Sequence, residues 1–72
     1  EKLCTYFWEL YERSGKYIFL LPMNRTELAD FLIVSRPSMS REMCRMRDEG
    51  LIDFLLSTIK VMNKEQLASY VQ

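Results

Sequence analysis

Two short helical patterns, separated by only two residues, constrain this chain more than any other feature. The first pattern begins at an Asn24 cap, and Glu27 stands where it can complete a capping box. The second begins at a Ser35 cap, has Pro37 in its first turn, and ends at Gly50. Two helices joined by so tight a turn form a helix-turn-helix, a device that places its second helix in the major groove of DNA.

The second helix carries methionine on one face and arginine on the other. Met39, Met43 and Met46 recur at steps of four and three, so we predict that they belong to the core. A methionine metal site is not expected, because no other soft ligand converges on these residues. The opposite face carries Pro37, Arg41, Cys44, Arg45 and Asp48, with Ser38 at its margin.

Hydrophobic spacing and breaker residues predict the remaining elements. In chain order we predict a helix over 1–14, a strand over 17–21, helices over 24–32 and 36–49, strands over 51–54 and 58–62, and a last short helix from 63 to 71. The order is therefore α-β-α-α-β-β-α, mainly α with a small β-hairpin. A helix-turn-helix (24–50) followed directly by a hairpin wing (51–62) is a winged helix-turn-helix, and 1–72 form one such domain.

The charge distribution is more informative than the net charge. Ten basic and ten acidic residues give a net charge of zero, which excludes an indiscriminate polycation. Between Arg36 and Arg47, however, four arginines stand against one acid, Glu42. Such a stretch favours nucleic-acid binding by one helix. No apolar run approaches the ~20 residues that a membrane-spanning helix needs, so no membrane partner is expected.

Residues that carry chemistry are otherwise sparse. The chain has no His, and Cys4 and Cys44 lack metal-ligand spacing, so we expect no zinc site. Two reduced thiols are typical of an intracellular protein, and we predict a cytoplasmic location. With no nucleophile–base pair and no glycine-rich phosphate loop, we expect neither an enzyme nor a cofactor in this domain.

The segment Ser35-Arg-Pro-Ser-Met-Ser-Arg-Glu-Met-Cys-Arg-Met-Arg-Asp-Glu-Gly-Leu-Ile closely resembles the C-terminal DNA-binding domain of the bacterial Crp/Fnr regulators, the family of the cyclic-AMP receptor protein. Arg25-Thr-Glu-Leu-Ala-Asp-Phe-Leu before it and Thr58-Ile-Lys-Val after it extend the resemblance over most of 17–62. The resemblance implies a transcription factor that binds a palindromic operator as a homodimer, with RNA polymerase as a further candidate partner. It also implies an upstream effector-binding domain and dimer helix. Because Glu1 runs straight into a helical pattern without an initiator Met, we expect a fragment that lacks both.

The resemblance also implies which residues contact DNA. The base-reading positions fall on Arg36, Pro37 and Arg41, with Cys44 one turn further. Arginine can bond guanine O6 and N7 with both prongs. Proline stands where the cyclic-AMP receptor has an acidic base reader, so the operator should differ at that position. The candidate phosphate contacts are Thr26, Ser38, Ser40 and Arg45.

Structural alternatives stay open for several of these side chains. Arginines on an exposed face can be merely solvated, serines can simply satisfy free amides of the first helical turn, and Cys44 can be a tolerated small residue. Arg47 lies near the edge of the methionine face, so we predict a structural ion pair with a nearby carboxylate, from Glu42, Asp48 or Glu49.

Two departures from the family pattern affect the interpretation. Ile33 stands where the turn usually has Gly, and a β-branched residue with positive φ is strained, so we expect a turn of another shape. Leu55 and Leu56 occupy the wing tip, where polar, glycine or basic residues are usual. Exposed leucines there, with the zero net charge, motivate the alternative function, a winged-helix protein–protein interaction module.

Overall fold

The computed structural model describes residues 2–71 and confirms the predicted winged helix-turn-helix. Its elements are α1 (Lys2–Ser14), β1 (Ile18–Leu20), α2 (Arg25–Leu32), α3 (Arg36–Asp48), β2 (Ile52–Leu55), β3 (Thr58–Val61) and α4 (Lys64–Ser69). Within residues 2–71, no helix is both long and apolar enough to span a membrane.

The three strands form one antiparallel sheet in the order β1-β3-β2. β2 and β3 make the predicted hairpin, with Leu55 opposite Thr58 at the end nearest the wing tip. β1 pairs with the other edge of β3, where Phe19 lies opposite Ile59, a pairing that the sequence did not specify. The wing is thereby fastened to the body of the domain by a third strand.

The core draws apolar side chains from all four helices and from the sheet. Met39, Met43 and Met46 are 2%, 2% and 0% exposed, which confirms that the methionine stripe is core. Because a helix has a fixed angular period, burial of this stripe also fixes which α3 residues point outward. The packing of the core therefore orients the exposed face of α3.

Side-chain caps set where the two central helices begin. The Asn24 side chain accepts from the Glu27 amide at 2.8 Å, and the Glu27 carboxylate accepts from the Asn24 amide at 3.1 Å. Ser35 Oγ accepts from the Ser38 amide at 3.2 Å. Both predicted caps are confirmed, and they satisfy amides that would otherwise lack a partner at the helix ends.

The turn between α2 and α3 corrects one prediction. Ile33 adopts φ 57° and ψ 50°, so the expectation of a turn of another shape is wrong. Its amide donates to the Asp30 carbonyl at 3.1 Å, and the Val34 amide donates to the Ala29 carbonyl at 3.0 Å. This pair of bonds closes a helix through a left-handed residue. The bonds offset the strain of holding a β-branched residue in that conformation.

Candidate nucleic-acid interface

α3 presents an exposed face opposite its buried methionines. Successive side chains on a helix are rotated by about 100°, so burial of the methionines turns Pro37, Arg41 and Cys44 outward together. All three are exposed, as is Arg36 at the start of the helix. The structure thus brings the four predicted base-reading residues onto the accessible side of one helix.

A hydrogen-bond network at the start of α3 positions Arg41. Arg41 Nη2 donates to Ser38 Oγ at 3.2 Å, and Ser35 Oγ donates to the same atom at 2.9 Å. Since Ser38 Oγ accepts both bonds, its own hydroxyl proton remains available to a further acceptor. Ser38 can therefore help to position Arg41 and also donate its own proton to a phosphate.

A side-chain hydrogen bond links the two central helices. Arg36 Nη1 donates to Thr26 Oγ1 at 3.0 Å, and both residues are exposed. One predicted base-reading residue and one predicted phosphate contact, from different helices, therefore lie together. Ser40, also exposed, lies one turn after Arg36 on the same side of α3.

Arg45 forms ion pairs with two carboxylates, one on α3 and one at its C-terminal cap. Its guanidinium donates to Glu42 Oε1, with Nε at 2.9 Å, and its Nη1 donates to Glu49 Oε2 at 2.7 Å. It also lies 5.5 Å from the centroid of the Tyr70 ring. This flank of α3 therefore carries one positive and two negative charges, and Arg45 joins α3 to the end of α4.

Arg47 makes none of the ion pairs predicted for it. Within residues 2–71 no carboxylate lies within 4.0 Å of its guanidinium, so that prediction is wrong. The guanidinium lies instead over the Phe54 ring of β2, 5.0 Å from its centroid. Its remaining contact is long, with Nη2 3.9 Å from Cys44 Sγ.

Arg25 has a role that no local sequence pattern indicates. Its Nη2 donates to the Leu56 carbonyl at the wing tip, and its Nη1 lies 3.3 Å from Met43 Sδ. Its guanidinium also lies 5.4 Å from the centroid of the Phe54 ring. Burial, and next the positive charge of Arg36, lower the pKa of Arg25 below its usual value. Arg25 thus ties the wing to the helix-turn-helix across 31 residues of sequence.

The two cysteines differ in their surroundings. Cys4 is buried in the core against which α1 packs, whereas Cys44 is exposed on α3. Among residues 2–71, no group of three or more His, Cys, Asp or Glu side chains is arranged to hold a metal.

Taken together, the outward arginines of α3, the capped turn and the hairpin beside it define a winged helix-turn-helix of the DNA-binding class. The model of the Crp-like helix-turn-helix domain matches residues 1–70, and the chain belongs to that family. The resemblance inferred from the sequence is therefore confirmed. The chain is accordingly a DNA-binding domain of a transcription regulator. No curated protein and no solved structure gave a significant match.

Proposed function

We propose that this domain binds a specific sequence of double-stranded DNA, with α3 in the major groove, as part of a bacterial Crp/Fnr-type regulator. The observation that carries the proposal is the outward face of α3. Burial of the methionine stripe on one side obliges Pro37, Arg41 and Cys44 to face outward on the other. The major groove is wide and deep enough to admit a helix presented in this way.

Base readout is assigned to four residues. Arg36 and Arg41 are the guanine readers, each bidentate pair contributing about 1–3 kcal/mol of discrimination against the wrong base. Pro37 offers only apolar contact, which suits a thymine methyl group and gives cytosine no acceptor. Cys44, one turn beyond Arg41, lies against the next base edge.

Phosphate contacts are assigned to Thr26, Ser38, Ser40 and Arg45. The hydroxyl of Ser38 supports this assignment because Ser38 Oγ accepts from Ser35 and Arg41 among residues 2–71, which leaves its own proton for a phosphate. Arg45 keeps both of its carboxylate partners, so its contribution to the salt dependence is smaller than that of an unpaired arginine.

In the whole protein, we propose that two such domains bind the halves of a palindromic operator. An upstream effector-binding domain and a dimer helix would hold them at the required spacing, in the cytoplasm, with RNA polymerase as a further partner. One domain alone contacts only one of the two half-sites. Its non-specific affinity should therefore lie near the ~10⁻⁴–10⁻⁶ M that is typical at physiological salt.

A ¹⁵N NMR titration with a short mixed-sequence duplex tests the docking, because it tolerates weak binding and reports on each residue. We expect salt-sensitive shifts centred on Thr26, Arg36, Ser38, Arg41 and Arg45. Operator selection then provides the duplex for measuring specificity. An absence of shifts at low salt would mean that this surface does not bind DNA.

The variant Arg41→Ala tests the groove assignment. Loss of one bidentate pair should reduce discrimination at a single base position by about 5- to 150-fold, the equivalent of ~1–3 kcal/mol. Arg13→Ala, on α1 and away from this face, removes the same charge and is the matched control. If Arg41→Ala leaves affinity and site preference unchanged, the assignment of α3 to the groove is wrong.

One observation favours the alternative of a protein–protein interaction module. On the outer face of the sheet, Leu20 and Leu55 flank Thr58 and are 71% and 76% exposed, and Ile18 beside them is 53% exposed. Self-association in sedimentation, without any response to DNA, would favour that function. Shifts confined to 55–57 in the titration would favour it as well.

A further inference from the structure

An open cleft of about 580 Å³ separates the wing from the helix-turn-helix. Three arginines line it: Arg25 at the start of α2, and Arg36 and Arg47 at the two ends of α3. Among the described residues no carboxylate lines the cleft. In a chain whose net charge is zero, three cations are therefore gathered without local compensation.

The helical period places this cleft beside the proposed base-reading face. Arg36 and Arg47 are eleven positions apart, which corresponds to about 16 Å along the helix and only about 20° around it. Both therefore lie on one flank of α3, the flank nearest the wing. Because Arg36 belongs to this flank and to the proposed base-reading face, the cleft opens toward the same ligand.

The two flanks of α3 differ in charge. The wing-side flank and its cleft carry the three arginines, a charge of about +3 at neutral pH because arginine stays protonated. On the other flank the charge of Arg45 is offset by its ion pairs with Glu42 and Glu49. A helix in the major groove has a phosphate backbone on each side, so a phosphate is attracted most strongly on the wing side.

Arg47 has donors to spare in this cleft, as has Arg36, which donates from Nη1 to Thr26 Oγ1. Its contact with Phe54 is a cation–π contact, and Cys44 Sγ is a weak acceptor at 3.9 Å. Arg25 instead commits its Nη donors to the Leu56 carbonyl and to the Met43 sulfur. Arg25 therefore suits positioning of the wing, and Arg47 suits binding of an anion.

We propose that Arg47 binds a backbone phosphate of duplex DNA in the cleft between α3 and the wing, and that Arg25 is a positioning residue that holds the wing tip beside it. The inference rests on the proposed function, since it names a further contact with the same DNA. It gives a use to a guanidinium that lies against β2 with no carboxylate partner within residues 2–71. It also places beside the wing a contact with DNA that the apolar wing tip does not provide.

The test is the salt dependence of binding to a short mixed-sequence duplex, measured for the unmodified domain, Arg47→Gln, Arg47→Lys and Arg13→Gln. Loss of one phosphate contact lowers the slope of log Kobs against log salt by about 0.9. Between about 50 and about 200 mM salt, the unmodified domain should therefore lose about 3.5-fold more affinity than Arg47→Gln. Arg47→Lys keeps the charge and should restore most of the slope, and Arg13→Gln should leave it unchanged.

The outcomes separate this inference from the proposed function. If the unmodified domain binds the duplex and Arg47→Gln has the same slope, the phosphate contact is refuted and the proposed function stands. If the unmodified domain does not bind at all, the proposed function fails and this inference fails with it. The side-chain Nε–H resonance of Arg47 should shift with duplex and not with inorganic phosphate at matched ionic strength. An equal shift with inorganic phosphate would mean that the cleft accepts free phosphate, which overturns the proposal.

Discussion

Replacing Ile33 by glycine should stabilise the domain, although Ile33 is part of its central turn. Ile33 has φ 57° and ψ 50°, and its side chain is 82% exposed. An L-residue in the left-handed region costs roughly 1–3 kcal/mol, and β-branching makes that cost larger than for alanine. Glycine adopts the same conformation without a Cβ penalty, and both hydrogen bonds that close the turn use backbone atoms alone.

Two opposing contributions reduce the gain. Because Ile33 is 82% exposed, little of its apolar surface is buried. Loss of that burial costs about 0.3–0.5 kcal/mol, in proportion to the ~1.5–3 kcal/mol gained by full burial of such a side chain. Glycine also gives the unfolded chain more conformational freedom, at a cost of about 0.4–1 kcal/mol. With ~2 kcal/mol of strain relieved, the net gain is about 1 kcal/mol. In a domain of this size that raises Tm by about 4–8 °C.

Thermal and urea unfolding of Ile33→Gly and Ile33→Ala provide the measurement. Both variants remove nearly the same side chain, but alanine keeps a Cβ and with it a left-handed strain that glycine lacks, so the difference between them reports mainly on the backbone. We expect Ile33→Gly to be the more stable of the two by about 0.5–1 kcal/mol. A lower Tm for Ile33→Gly than for Ile33→Ala would refute the reasoning, because the residue would then not occupy the left-handed region in solution.

Three further predictions follow from the burial and pairing of single side chains. Met46 is 0% exposed, so Met46→Ala should lower the free energy of unfolding by about 2–5 kcal/mol, measured by urea unfolding; a loss within ~0.5 kcal/mol would contradict the methionine core. A thiol reagent should label exposed Cys44 in the native domain and buried Cys4 only on unfolding. Duplex DNA should slow the labelling of Cys44, and an equal rate with and without duplex would contradict the assignment of Cys44 to the DNA-binding face. Glu42→Gln removes one negative charge beside Arg45, so fluorescence anisotropy should show tighter binding to any duplex; unchanged affinity would mean that this flank lies away from the phosphates.

The local elements were predictable because local chemistry determines them. Asn24 with Glu27, and Ser35 followed by Pro37, satisfy free helix amides through residues only a few positions away, and the structure has both caps. The methionine stripe follows from the helical period and needs no knowledge of what packs against it. These features fix the order and orientation of α2 and α3, and hence the exposed face of the proposed recognition helix.

The junction between the wing and the helix-turn-helix was not predictable in the same way. Arg25 and Leu56 lie 31 residues apart in sequence, and nothing local indicates that a guanidinium meets that carbonyl. The pairing of β1 with β3 is equally non-local. Since the cleft exists only where these separate segments meet, the sequence predicted a wing but not the surface that it forms.

The different surroundings of Arg45 and Arg47, by contrast, follow a rule that the sequence already contains. Side chains on a helix meet at spacings of three and four. Arg45 stands three after Glu42 and four before Glu49, and it makes both ion pairs. Arg47 stands five after Glu42 and only one or two before Asp48 and Glu49, so no carboxylate of its own helix lies within easy reach. On its own helix it meets Cys44 Sγ, a weak acceptor 3.9 Å from Nη2, and its guanidinium lies over the Phe54 ring on the wing, 5.0 Å from the centroid. The spacing that pairs one arginine therefore leaves the other for the cleft, where its charge is uncompensated and suited to a phosphate.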